Sequence, residues 1–73
     1  MIAIYEIQVR KVVFSERTET IIKERFCNSE EYSMRIAELM IRLSQKKEER
    51  FRILAYKNDH LIKCITIENL KEK

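Results

Sequence analysis

Residues 28–47 read NSEEYSMRIAELMIRLSQKK, and they decide the fold because they are the one stretch with a helical period in a chain otherwise patterned for strands. Asn28 suits a helix N-cap, Glu31 stands at the third helical position as in a capping box, and Glu30 lies where the dipole favours an acid. At 100° per residue Tyr32, Ile36, Leu39, Met40 and Leu43 fall within one arc, the width of a core-facing stripe. Lys46 and Lys47 match the negative end of the dipole, so the expected helix covers about 29–47. Glu31 with Arg35, and Glu38 with Arg42, are i,i+4 pairs in the favourable order on its solvated face.

Upstream, about 2–14 are rich in Ile, Val, Tyr and Phe, with Ala3, Tyr5, Ile7 and Val9 on one face and Glu6, Gln8 and Arg10 on the other. A polar break at Ser15 to Glu19 leads to a second strand over about 20–27. Downstream, Phe51, Ile53 and Ala55 alternate against Arg52, Leu54 and Tyr56, giving a strand over 50–57. A turn at Asn58-Asp59 then leads to a strand over about 61–68. The expected architecture is α+β, ββαββ: two hairpins flanking one helix, which packs on one face of a four-stranded, mainly antiparallel sheet. Seventy-three residues suffice for one domain, 1–73, and an apolar content of 45% lets it fold, though a domain this small buries only about 60% of its unfolded surface.

Composition removes more functions than it suggests. The chain has no Gly and no Pro, which excludes Walker A loops, dinucleotide fingerprints and the GXXG loop, where backbone must approach a phosphate without a Cβ. Two cysteines, Cys27 and Cys64, are expected to be free and buried, as is common for that residue type. Zinc would require His60, Cys27, Cys64 and Asp59 without any short ligand spacing, so no metal and no cofactor is expected. His60 and Cys64 stand four residues apart on a strand, about 13 Å, too far for a catalytic pair. Glu30-Glu31 and Glu48-Glu49 lie at helix ends, where acids cap and solubilise. No nucleophile, base and orienter share a useful spacing, so no catalytic residue is assigned and the chain reads as a binding protein. No apolar run approaches the roughly 18 residues of a membrane span and no secretory leader is visible, which points to a cytoplasmic protein that does not enter membranes.

Two surfaces are candidates for binding. Ile2, Ile4, Val12 and Phe14 give the first strand apolar residues beyond its core face, and Met34, Ala37 and Ile41 form a strip on the helix away from the core stripe. One helix covers one sheet face, so this surplus predicts a protein partner or a homodimer, engaged through an exposed sheet edge, the second sheet face or the helical strip. The second candidate is basic. Fifteen Lys and Arg against twelve Asp and Glu give +3, and Arg10, Lys11, Lys46, Lys47, Arg50 and Arg52, with Lys23 and Arg25 nearby, could converge into a patch for nucleic acid, with Tyr56 or Phe51 to stack on a base. The tail, Glu68 to Lys73, is too short and mixed in charge for a basic arm.

Tyr5-Glu6-Ile7-Gln8-Val9, then Phe26-Cys27-Asn28-Ser29-Glu30-Glu31-Tyr32 opening an amphipathic helix, then Phe51 through Asp59, resembles short ββαββ proteins encoded by bacteriophages and mobile elements. The likeness is one of pattern and spans almost the whole chain. It implies an accessory role: binding and inhibiting a host enzyme or a defence protein such as a CRISPR effector, or modulating host transcription, within the host cytoplasm. It carries over no functional residue.

Overall fold

The computed structural model describes residues 2–69 and contains β1 (Tyr5–Phe14), β2 (Arg17–Phe26), α1 (Ser29–Ser44), β3 (Arg50–Lys57) and β4 (His60–Glu68). The strands form one antiparallel sheet in the order β2-β1-β3-β4, with the helix between β2 and β3 in sequence, so the fold is the expected ββαββ. The helix carries the chain from the β2 edge back to the middle, which makes β1 and β3 central and leaves β2 and β4 as edges.

Register follows from the apolar alternation. Ile7 faces Ala55, Val9 faces Ile53 and Lys11 faces Phe51 across the central pair. The apolar members of these pairs are buried beneath Tyr32, Leu39 and Leu43 of the helix, and Tyr5, Ile22, Phe26, Ile36, Ile65 and Ile67 pack around them. Asn28 caps the helix as expected: its Oδ1 accepts from the backbone N–H of Glu30 at 2.8 Å and of Glu31 at 3.1 Å.

The helix crosses the sheet diagonally. Its first turns lie at the end of β1 and β2, where Tyr32 stacks on Tyr5 at 4.7 Å and Arg35 reaches Glu24. Its last turn lies at the opposite end, where the Leu43 carbonyl accepts from Asn69 Nδ2 at 2.8 Å, just beyond β4. Two corners of the sheet are therefore uncovered: the start of β4, and the hairpin tip between β1 and β2.

Without glycine, four of the described residues hold the left-handed backbone: Ser15, Glu48, Asn58 and Asp59, with φ of 55°, 63°, 49° and 65°. Asn58 and Asp59 form the two-residue loop between paired Lys57 and His60, a loop whose central positions both need positive φ when it is of the type that matches strand twist. Asn58 also anchors the segment before β1, its Oδ1 accepting from Ile4 N at 3.0 Å and its N–H donating to Ile4 O at 2.8 Å.

Several expected boundaries and placements shift for identifiable reasons. β1 begins at Tyr5 rather than Ile2 because both neighbours run out there, at Phe26 and Lys57. β2 begins at Arg17 because the turn is only Ser15-Glu16, and an edge strand tolerates the polar run that follows. The helix ends at Ser44, short of Lys47; Gln45 caps it and Glu48 then takes positive φ. Met40 is 41% exposed because it lies one step round from Leu39, on the flank of the stripe. Arg35 takes Glu24 and Glu38 rather than Glu31. Three residues, Val13, Ile21 and Ile62, are skipped by the ladders as bulges, and all three are exposed, displaced from the alternation that would bury an apolar residue. Leu70 to Lys73, the end of the mixed-charge tail, lie outside the described residues.

The core makes a direct prediction. Leu39→Ala should cost about 2–5 kcal/mol, most of the roughly 3–5 kcal/mol available to a domain this size, whereas Met40→Ala should cost under about 1 kcal/mol. Urea unfolding followed by circular dichroism distinguishes them; equal losses would mean the helix presents a different face to the sheet.

Candidate binding surfaces

The face of the sheet opposite the helix is laid out by the register. Paired residues share a face, so its rows run Arg25, Glu6, Tyr56, Leu61; then Lys23, Gln8, Leu54, Cys64; then Thr20, Arg10, Arg52, Thr66. Arg50 and Glu68 pair beyond the third row. The bases Arg10, Lys23, Arg25, Arg50 and Arg52 outnumber the acids Glu6 and Glu68 on this face. Polar side chains dominate it, so it does not need the second apolar layer that the composition of the first strand suggested.

Glu6 is already occupied. Gln8 Nε2 donates to it at 2.7 Å and Arg25 Nε at 3.0 Å, and these two hydrogen bonds, that from Gln8 foremost, hold its carboxyl below the usual carboxylate range. Arg10, by contrast, faces Arg52 directly across the central strands. Among the described residues its side chain makes one hydrogen bond, from Nη1 to Thr18 Oγ1 at 3.4 Å, and its Nε is buried without a partner.

The predicted basic patch is divided by the sheet. Arg10, Arg50 and Arg52 stand on the open face, joined there by Lys23 and Arg25. Lys11 pairs with Phe51 on the helix side and makes a 2.8 Å ion pair with Glu49; that hydrogen bond raises its ammonium and lowers the Glu49 carboxyl. Lys46 and Lys47 belong to the connection leaving the helix, also on the helix side. Phe51 is buried, which leaves Tyr56 as the ring available for stacking.

The predicted apolar interface is divided as well. Ile2 and Ile4 lie at one end of β1 and Phe14 at the other, separated by about 30 Å of strand, with Val12 half-buried on the open face. Met34, Ala37 and Ile41 do form one exposed strip on the helix, with Met34 65% and Ile41 64% accessible. A further apolar surface, invisible until strand order is known, is the β4 edge: Leu61 is 54% and Ile62 56% exposed beside the turn that holds Ile4. The two edges differ in kind. β2 carries Arg17, Glu19, Lys23, Glu24 and Arg25, whereas Leu61 to Ile67 of β4 contains one charge, Lys63.

Both cysteines are free and exposed rather than buried: Cys27 lies just past the end of β2, and Cys64, paired with Leu54, points away from the core. Among the described residues no group of His, Cys, Asp and Glu is placed to hold a metal ion, and no helix is long and apolar enough to cross a membrane. Tyr32 has a buried hydroxyl without a hydrogen-bond partner, and burial pushes its phenol up, so it remains neutral in the core. No family model matches the chain, and no curated protein or solved structure matches it.

Arg35 clamps Glu24 through Nε at 2.7 Å and Nη2 at 3.0 Å, tying the helix to the β2 edge, and this hydrogen bonding lowers the Glu24 carboxyl. A carboxyl lowered on folding contributes stability above its unfolded pKa of about 4.3, and the contribution is lost as pH falls through the folded value. Glu24→Gln should therefore be less stable than wild type by about 0.5–1 kcal/mol at neutral pH, with the gap closing as pH falls below the unfolded value. Urea titrations across pH test this; a gap independent of pH would show that the clamp is not ionic.

Proposed function

We infer that this chain is a non-catalytic protein-binding module whose working surface is the β4 edge. The observation that carries this reading is the contrast between the two edges: a strand with Leu61 and Ile62 exposed and one charge between Leu61 and Ile67 is a template for strand addition, while β2 is guarded by charge. An extended segment of a partner would pair with the unsatisfied backbone of β4 and rest its side chains on Leu61 and Ile62. The strip of Met34, Ala37 and Ile41 is a second apolar contact, for the same partner or for a second copy of the chain. The likeness to proteins of phages and mobile elements gives the partner its class, a host enzyme or defence protein that is blocked by being bound.

The test is affinity capture from nuclease-treated bacterial lysate, with wild-type protein, a Leu61→Lys/Ile62→Lys variant and a Met34→Lys/Ile41→Glu variant, each verified as folded. A stoichiometric protein retained by wild type, lost from the edge variant and kept by the helix variant is the expected pattern. Retention by the edge variant, or capture of no protein, would refute the edge as the working surface.

A further inference from the structure

The open face of the sheet carries a site separate from the β4 edge. Its central feature is two arginines at directly opposed positions of the central strands, Arg10 on β1 and Arg52 on β3, with the Arg10 guanidinium reaching towards Thr18 of β2. Like charges in that relation destabilise a sheet, and among the described residues neither is ion-paired. The acids of the same face are placed elsewhere: Glu6 is held by Gln8 and Arg25, and Glu68 stands opposite Arg50. Arg10 adds a buried Nε–H without an acceptor. An anion between the two would relieve the repulsion and accept from both.

The surroundings favour a polymer over a single ion. Lys23 extends the positive charge towards one end of the sheet, where Arg25 is held by Glu6, and Arg50 extends it towards the other. Tyr56 lies four residues along β3 from Arg52, about 13 Å, on the same face, with Leu54 between them. A row of bases beside an aromatic ring on a sheet face suits a phosphate backbone whose bases lie flat against the protein. A single strand fits better than a duplex, because among the described residues no basic helix or ribbon projects from this side to enter a groove, and the helix, on the other side, carries Glu30, Glu31 and Glu38.

We propose that the open face binds single-stranded nucleic acid, with a phosphate at Arg10 and Arg52, flanking phosphates on Lys23 and Arg50, and a base stacked on Tyr56. The probe is a short fluorescent oligothymidylate, followed by anisotropy at low salt and then through a salt series. Affinity should fall linearly on logarithmic axes with a slope of about 0.7 per phosphate neutralised. Arg52→Glu should weaken binding about tenfold or more and flatten the slope, while Lys47→Glu, the same charge change on the helix side, should alter Kd by less than about twofold. Tyr56→Ala should weaken binding at least about fivefold with the slope unchanged. Circular dichroism verifies that each variant is folded. No binding at low salt, equal weakening by Arg52→Glu and Lys47→Glu, tighter binding to a duplex of the same length, or equal binding to polyglutamate would each overturn the proposal.

Discussion

One helix of 16 residues must cover one side of a four-stranded sheet, and the rest of the structure follows from how it does so. It lies diagonally, with Tyr32 stacked near the ends of β1 and β2 and Leu43 tied through Asn69 to the end of β4. That path seals Ile7, Val9, Phe51, Ile53 and Ala55 but leaves two corners bare. Leu61 and Ile62 are exposed at one, Val13 and Phe14 at the other. The opposite face has no second helix and is correspondingly polar.

The arrangement was legible wherever local chemistry and burial agree. The Asn28 cap, the stripe of Tyr32, Leu39 and Leu43, the Asn58-Asp59 turn and the alternation of Ile7, Val9, Ile53 and Ala55 are all written in residue type and spacing. Features set by pairing were not. Strand order, and with it the identity of β4 as an edge, depends on which hairpin strands meet through the crossover, and periodicity within a segment carries no such information. The bulges at Val13, Ile21 and Ile62 are of the same kind: the alternation assigns each to a face, and the ladder skips each. Cys64 looked like a core residue by type, yet its partner Leu54 fixes it on the open side.

The candidate sites were legible as residue types, while their grouping was left open by the sequence and is decided by strand pairing. Arg10 and Lys11 are adjacent in sequence and so point to opposite faces of a strand; Lys11 meets Glu49 beside the helix while Arg10 meets Arg52. Ile2 and Phe14 belong to the same apolar segment but lie at opposite ends of the sheet. What emerges is a division of surfaces: an apolar edge at β4, an apolar strip on the helix, and a basic face behind both.

The basic site, with Arg10 and Arg52 at its centre, rests on the open face being bare in the free protein. Cys64 stands in the second row of that face, and Cys27, exposed just past the end of β2, is an internal reference in the same molecule. The decisive measurement is the rate of alkylation of each thiol under native conditions, followed by mass spectrometry over a range of protein concentrations. The expected result is that Cys64 and Cys27 both react at rates close to those in unfolded protein, whatever the concentration. Protection of Cys64 alone, increasing with concentration, would contradict it, because a second copy would then be covering the face on which Arg10 and Arg52 meet.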